Sequence, residues 1–297
     1  MQVQLHHGKS KLAIELAKKI NGEIISADSM QIYKDMNIGT AKVTKEETDG
    51  INHYMIDIVF PNERYSVASY KKQAEIYIEK ILSKGKIPIV CGGTGLYINS
   101  LIYGIDFKEE KIDEEYRNKL NKIADEEGLE KLYEMALKID DEAMKKISSN
   151  DKKRIIRVLE IYHKTGKTKT QQDLESRING VKYNYKVFAI DITRDILYDR
   201  INKRVDSMIE QGLIDEVKEV LSRYNEFPTA MQGLGYKEVV EYINNNIGKE
   251  DMIEKIKMET RRYAKRQLTW FRKNKEIIWL NGLDDINKNI DCVMQNI

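Results

Sequence analysis

The fold is decided by residues 23–42, EIISADSMQIYKDMNIGTAK. This stretch begins with a short apolar run at residues 23–27, β-branched at its centre, and turns polar at residues 28–31, DSMQ. Such a run predicts a buried strand that ends in a loop. Ligands of open α/β sheets bind beyond the carboxyl ends of the strands. Asp28 is therefore predicted to stand where a reacting group belongs.

Asp28 has two interpretations at this position. Its carboxylate can accept a proton from a bound nucleophile, as a general base does. It can equally cap the turn that follows, which is a common role of aspartate. Position alone leaves both interpretations open.

The composition limits the class of protein. With 297 residues, 41% hydrophobic and 33% charged, the chain can bury the core of one large domain or two modest ones. It shows no apolar run near the roughly 20 residues that span a bilayer and no signal-peptide pattern, so we expect a cytoplasmic protein away from membranes. Cys91 and Cys292 lack metal-ligand spacing, which predicts a reduced chain without a structural metal. The net charge of +2 is too small to indicate nucleic-acid binding by itself.

Alternating strand and helix patterns predict the domain organisation. Strand-like runs at residues 53–58, 86–91, 185–192 and 277–280 alternate with helical patterns, which favours a parallel sheet with crossover helices. Between residues 107 and 184 the strand signals vanish and charged helical segments follow one another. We predict an α/β core at residues 1–106 and 185–297, interrupted by an all-helical insertion at 107–184.

A phosphate-binding loop is indicated by residues 8–19, GKSKLAIELAKK. The backbone N–H groups of a helix N-terminus favour anions, and a lysine there reaches terminal phosphates. A complete P-loop has a glycine five positions before Gly8, where this chain has Val3. We therefore expect the first core strand and the start of the loop to be missing.

The C-terminal residues 258–275 interleave basic and aromatic side chains. Basic groups neutralise phosphates, and aromatic rings or arginine planes stack on bases. The alternative is an amphipathic helix whose aromatic residues are simply buried against the core.

Five further motifs occur in a fixed order: ADSMQIY with NIGTAK, GGTGLY, NDKKRIIRVLEIYHKTGK, GLGYKEV and TRRYAKRQLTWFR. Together with GKS they resemble the tRNA dimethylallyltransferases (tRNA isopentenyltransferases), from Gly8 to about Arg272. The resemblance implies a P-loop NTPase-like core that transfers a dimethylallyl group from dimethylallyl diphosphate. The acceptor it implies is the exocyclic amine of the adenosine immediately 3′ of the anticodon. It also implies Mg²⁺ as cofactor, the tRNA anticodon stem-loop as partner, and a monomer.

The same resemblance assigns roles to individual residues. Asp28 and Thr94 would be catalytic, and Gly8, Lys9, Ser10 and Arg204 would hold the diphosphate, with Ser10 also binding Mg²⁺. Arg194 and Arg200 share one predicted helix with Arg204, and the choice among the three stays open. The expected contacts to tRNA are Asp28, Ser29, Met30, Gln31, Thr94, Lys153, Arg154, Ile155, Ile156, Arg157, Arg261, Arg262, Lys265 and Arg266.

The first seven residues, MQVQLHH, do not fit the family, which has a loop like GPTASGKS. One choice of synonymous codons for these residues encodes Ala-Gly-Pro-Thr-Ala-Ser in another reading frame. We therefore expect a single-base frameshift, real or from sequencing, with Met1 as a spurious start. The nucleotide sequence upstream tests this, because it must encode an apolar strand in that other frame.

Three alternative functions follow from the residues. A P-loop kinase for small molecules, or a prenyltransferase acting on free adenine nucleotides, would need neither the insertion nor the basic C-terminal helix. A catalytically impaired RNA-binding remnant follows if the chain is made as written.

Overall fold

The computed structural model describes residues 2–3, 8–107 and 113–297. The chain divides into two compact units, one formed by Met1–Ile102 with Tyr183–Ile297 and the other by Tyr103–Lys182. The sequence prediction placed these divisions after residues 106 and 184. The first unit is mixed α/β and the second is helical.

The first unit contains two parallel sheets. One has four strands in the order β1-β4-β2-β3, and the other pairs β5 with β6. Residues Gly22 to Ser26 of β2 pair in register with Ile87 to Cys91 of β4. The strands are β1 Gln2–Val3, β2 Gly22–Ser26, β3 His53–Tyr54, β4 Ile87–Cys91, β5 Phe188–Asp191 and β6 Ile278–Asn281.

Helices separate the strands, as the alternating pattern predicted, except between β2 and β3, which are joined by a segment without a helix. In chain order they are α1 Lys9–Ile20, α2 Val67–Leu82, α3 Gly95–Ile102, α4 Glu114–Glu126, α5 Leu129–Ile139, α6 Asp141–Met144, α7 Lys152–Thr165, α8 Lys169–Glu175, α9 Arg194–Glu210, α10 Leu213–Arg223, α11 Tyr236–Ile243, α12 Lys249–Phe271 and α13 Ile286–Met294, with a short 3₁₀ helix Ala230–Gln232 before α11. Helices α4 to α8 belong to the second unit. No helix in the described ranges is long and apolar enough to cross a membrane.

The strand β2 is buried at all five positions, as expected for a parallel strand covered on both faces. Its prediction from the apolar run is confirmed, and so are the strands predicted near β4, β5 and β6. The strand predicted at residues 53–58 is confirmed only at β3. Beyond Tyr54 the backbone turns, because Met55 and Asp57 adopt positive φ angles of 64° and 54°.

The structure corrects the expectation that no strand precedes Gly8. Residues Gln2 and Val3 pair in parallel with Val90 and Cys91, at the edge of β4 that β2 leaves unoccupied. An open strand edge offers unpaired N–H and C=O groups, and any extended segment can satisfy them. The frameshift hypothesis otherwise rests on Met1 and residues 4–7, which lie outside the described part of the chain.

A buried carboxylate stabilises the amino-terminal end of β2. Glu23 is only 1% exposed. It accepts hydrogen bonds from Lys84 at 2.9 Å, Lys86 at 2.8 Å, Tyr54 at 2.7 Å and Asn52 at 2.9 Å. Burial alone would raise the pKa of Glu23, but these donors outweigh it and hold the pKa well below its usual range.

The second unit has its own hydrophobic core, built by helices α4, α5, α6 and α7. Helix α7 begins where Asp151 accepts a hydrogen bond from the Arg154 N–H at 3.1 Å. It ends at Gly166, whose φ of 67° stops the helix.

Candidate active site

A cavity of about 970 Å³ lies at the carboxyl ends of β2 and β4 in the first unit. The start of α1, the loop after β2, helix α9 and helix α12 all contribute to its walls. The predicted site residues among its lining are Gly8, Lys9, Ser10, Asp28, Ser29, Met30, Gln31, Arg204 and Arg266.

The position of the Asp28 carboxylate is compatible with both predicted roles, the cap of a turn and the general base. Its Oδ1 atom accepts hydrogen bonds from the backbone N–H groups of Met30 at 2.9 Å and Gln31 at 3.3 Å. The turn after β2 is therefore capped by Asp28. The other oxygen, Oδ2, has no hydrogen-bond partner among the described residues. One carboxylate oxygen thus shapes the loop, and the other is available to a ligand in the cavity.

Thr94 joins the loop after β4 to the loop after β2. Its hydroxyl accepts a hydrogen bond from the Ser29 N–H at 2.9 Å and donates one to the Ser29 hydroxyl at 3.2 Å. Two residues earlier, a Cβ at Gly92 would lie 2.2 Å from the carbonyl oxygen of Ala27. Gly92 is therefore required sterically in the GGTG motif, because only glycine allows the two strand ends to approach this closely.

Two cations face the cavity without a partner. Burial lowers the pKa of Lys9, although Cys91 and Asp28 act in the opposite direction. Burial likewise lowers the pKa of Arg204, against the attraction of Asp28. Within the described ranges, neither side chain forms a hydrogen bond or an ion pair. Because burying a charge without a directly bonded counter-charge is unfavourable, the two groups form a site suited to an anion.

The structure separates the three arginines among which the sequence could not choose. Arg204 lines the cavity that contains Asp28 and Lys9. Arg194, at the start of α9, lines a different cavity. Arg200 lines neither of the two.

Gln31 holds the wall of the cavity formed by residues 39–41. Its Oε1 accepts a hydrogen bond from the Ser26 hydroxyl at 3.3 Å. Its Nε2 donates to the carbonyl oxygens of Thr40 at 3.3 Å and Ala41 at 3.2 Å. The side chain predicted to contact tRNA is therefore engaged within the protein.

Glu216 has a structural role that no pattern in the sequence indicated. This carboxylate on α10 accepts hydrogen bonds from the N–H groups of Asn37 at 2.7 Å, Ile38 at 2.7 Å and Gly39 at 3.1 Å. It also accepts one from the Tyr236 hydroxyl at 2.6 Å. Glu216 fixes the loop of the NIGTAK motif, yet in the sequence it is an ordinary acidic residue of an amphipathic helix.

Helix α12 connects to the active loops through two side chains. Gln267 is buried, and its Nε2 donates to the carbonyl oxygen of Gly93 at 2.5 Å. Tyr263 lines the cavity and hydrogen-bonds with Gln267 and Thr94. Burial, with a contribution from Asp28, raises the pKa of Tyr263 to about 12. These aromatic and amide groups are part of the site, and the sequence predicted only the basic residues around them.

The basic residues of α12 do not share one face. Arg261 is half-buried and donates to Asn202 at 2.6 Å, while Arg262 forms an ion pair with Glu259 at 2.6 Å. Arg261 therefore contributes to the packing of α12 on α9, and its contact with tRNA stays a prediction.

In the second unit, the residues predicted to contact tRNA at positions 153–157 differ in how far they are buried. Ile155 and Ile156 belong to the hydrophobic core and are 0% and 6% exposed. Their side chains therefore belong to the core of the second unit, and the contact of these two residues with tRNA stays a prediction. Lys153 and Arg154 are exposed, and Arg157 is partly exposed.

Comparisons with known proteins agree over most of the chain. A family model described as IPP transferase matches residues 31–274. A tRNA dimethylallyltransferase of Acetivibrio thermocellus is 52% identical over 275 residues, covering 92% of this chain and 88% of the relative. One from Thermoanaerobacter sp. is 51% identical over 296 residues, covering 98% and 92%.

Solved structures are also similar to this chain. The tRNA isopentenylpyrophosphate transferase of Bacillus halodurans has a TM-score of 0.74 at 40% identity, covering 99% of this chain and 93% of that one. A eukaryotic dimethylallyltransferase acting on tRNA has a TM-score of 0.80 at 31% identity, covering 99% and 76%.

Proposed function

Because this chain belongs to the IPP transferase family, we propose that it transfers a dimethylallyl group from dimethylallyl diphosphate to tRNA. The acceptor is the exocyclic amine of the adenosine immediately 3′ of the anticodon. The observation that carries this proposal is one cavity that holds an oxygen of Asp28 together with Lys9 and Arg204, two cations that have no side-chain partner in the part of the chain that the structure describes.

The donor binds at the cationic end of the cavity. Lys9, Ser10 and the first N–H groups of α1 bind the diphosphate from one side, and Arg204 binds it from α9. Such groups stabilise charge as it develops on the leaving diphosphate. Arginine suits this task because its fixed fork of donors matches phosphate oxygens.

The acceptor amine needs a base, because its lone pair is delocalised into the adenine ring. As the new bond forms between this nitrogen and the first carbon of the dimethylallyl group, the bond from that carbon to the diphosphate oxygen breaks. The electron pair leaves with the diphosphate, and the proton of the amine passes to Oδ2 of Asp28. General-base assistance of this kind contributes typically 10²–10⁴-fold.

Mg²⁺ fits the oxygen donors of this cavity. Ser10 lines the cavity and carries a hard oxygen ligand of the kind that Mg²⁺ takes, usually together with substrate phosphates. Within the described part of the chain, no group of three or more His, Cys, Asp and Glu side chains is placed to hold a metal. The protein would therefore supply Ser10, and the ion would neutralise charge on the diphosphate.

The core is proposed to be P-loop NTPase-like. Helix α1 follows a glycine-containing turn, and Gly8 has a φ of 94° that favours glycine. The parallel order of β1, β4 and β2 places this turn at the carboxyl edge of the sheet.

The tRNA is proposed to bind through Asp28, Ser29, Met30 and Thr94 near the reacting base. Cationic contacts come from Lys153, Arg154 and Arg157 in the second unit and from Arg262, Lys265 and Arg266 on α12. The target base must leave its stack to expose the amine, as in other enzymes that modify bases. We propose that the protein acts as a cytoplasmic monomer.

The test is transfer of label from dimethylallyl diphosphate to an anticodon stem-loop RNA. We expect label in the RNA, and none when guanosine replaces the target adenosine. Nucleotide hydrolysis without RNA, with no label transferred, would support a small-molecule kinase instead. Label on free adenosine monophosphate but not on RNA would support the free-nucleotide alternative.

A further inference from the structure

A second cavity, of about 570 Å³, lies at the carboxyl ends of β5 and β6. Helix α12 separates it from the active cavity. Thr260 and Tyr263 line the active cavity, whereas Lys265, Leu268 and Thr269 line the second one. At 3.6 residues per turn these two sets lie on opposite faces of the helix. The chain therefore has two crevices beyond parallel strands, where ligands of α/β sheets bind.

The second cavity is predominantly cationic. Arg194, Lys265 and Arg272 line it, against the single carboxylate of Asp191 among its described lining residues. Arg272 lies 3.5 Å from Asp191. The side chains of Arg194 and Lys265 have no hydrogen bond or ion pair within the described ranges. Two cations from different helices, neither of them paired with Asp191, thus line one space, which favours an anionic ligand.

Apolar and aromatic surfaces complete the cavity. Trp279 and Tyr198 contribute rings to the lining, and Leu197 and Leu268 contribute apolar side chains. Arg272 stands over the Trp279 ring, 5.9 Å from its centroid. A simple phosphate would use the cations but not these rings, whereas a nucleotide uses both through its phosphate and its stacked base.

We infer that this second cavity binds a phosphorylated nucleotide, apart from the reacting adenosine and the prenyl donor. The phosphate lies between Arg194 and Lys265, and the base lies against Trp279. The volume falls within the roughly 300–1,000 Å³ typical of small-molecule sites. The nucleotide is either a free mononucleotide or a nucleotide of the bound RNA, and the two sources share this chemistry.

Trp279 provides a direct reporter of occupancy. The chain contains two tryptophans, so Trp270→Phe leaves Trp279 as the only one. Adenosine monophosphate is titrated into this variant with the active cavity saturated by a non-reacting thio analogue of dimethylallyl diphosphate. We expect saturable quenching by adenosine monophosphate and much weaker binding of adenosine or inorganic phosphate alone.

The cations are tested with a matched pair of double variants. Arg194→Ala with Lys265→Ala should weaken the binding of adenosine monophosphate at least about tenfold, as expected for lost charge-assisted hydrogen bonds. Lys203→Ala with Lys273→Ala removes the same charge from helix α9 and from the turn after α12, but outside the cavity, and should leave the affinity unchanged. Because all four side chains are exposed, the variants should fold, and their thermal unfolding is compared.

Competition with stem-loop RNA identifies the source of the nucleotide. Displacement of adenosine monophosphate by the RNA assigns the cavity to a nucleotide of the RNA, and continued binding assigns it to a free mononucleotide. The inference is overturned if neither adenosine monophosphate nor RNA quenches Trp279 saturably, or if both double variants lose affinity equally. Prenyl transfer by the same preparations is measured separately, so failure here is distinguishable from failure of the proposed function.

Discussion

Replacing Asp28 by asparagine separates its two roles. The amide oxygen of asparagine can still accept from the Met30 and Gln31 N–H groups, now 2.9 and 3.3 Å from Oδ1. An NH₂ group takes the place of Oδ2, and it cannot accept a proton. The turn should therefore persist while the general base is lost.

The expected magnitudes differ between the two roles. Loss of the base should slow prenyl transfer by about 10²–10⁴-fold, which corresponds to roughly 3–5 kcal/mol in the barrier. Asp28→Asn should keep the stability of the parent. Asp28→Ala loses the cap as well, at about 1 kcal/mol, or a decrease of about 2–4 °C in Tm for a unit of this size.

The assay is single-turnover transfer with both substrates saturating, alongside RNA affinity and Tm for each variant. Asp285→Asn is the matched control, because Asp285 caps α13 through the Asn287 N–H at 2.8 Å and lies outside the cavity lining. It should leave the rate unchanged. If Asp28→Asn transfers the prenyl group at the parental rate, Asp28 is only a cap and the proposed mechanism is wrong.

Three other predictions concern the donor site and the fold. Lys9→Ala and Arg204→Ala should each raise the KM for dimethylallyl diphosphate about 10–100-fold, because a charge-assisted hydrogen bond to the diphosphate is lost. The affinity for RNA, measured in parallel, should not change. An unaltered KM would argue against a diphosphate bound at these cations. Gly92→Ala should lower the free energy of unfolding in urea by at least about 2 kcal/mol, whereas Gly248→Ala, with its nearest neighbouring atom 3.5 Å from the new Cβ, should change it little; equal stability of the two would disprove the close approach. Because the pKa of Glu23 is depressed in the folded state, its contribution to stability is present above the unfolded pKa of about 4.3 and is lost as the pH falls below that value. Glu23→Gln should lower the free energy of unfolding by roughly 1–3 kcal/mol at pH 7, less than for a fully buried ion pair because the lysines are partly exposed. It should also flatten the acid side of a plot of Tm against pH, and an unchanged acid side would contradict this prediction.

The local sequence pattern was sufficient to predict a strand where every residue of a short segment is buried. The run at residues 23–27 predicted β2 to within one residue, because both faces of this strand are covered by the core. The same reasoning failed after β3. There the Ile58 N–H donates to the carbonyl oxygen of Ile32 at 2.8 Å, and Val59 forms a bridge with Tyr33. This pairing with a segment distant in the sequence determines the backbone, and no local pattern contains it.

The residues of the candidate active site were predictable where a sequence motif contains a residue of suitable chemistry. Lys9, Asp28 and Arg204 come from three separate segments, and the structure brings them to one cavity. Motif matching could not distinguish buried from exposed positions within α7, although the helical period of Ile155 and Leu159 indicates the inner face. Glu216 was missed because its partners are backbone N–H groups 177 to 179 positions away.

The most direct measurement is nucleoside mass spectrometry of an anticodon stem-loop RNA after incubation with this chain and dimethylallyl diphosphate. Digestion and fragment mapping should show one dimethylallyl group on the exocyclic amine of the adenosine immediately 3′ of the anticodon. An RNA that remains unmodified, or carries the group on another nucleotide, would contradict the transfer reaction derived from Asp28, Lys9 and Arg204.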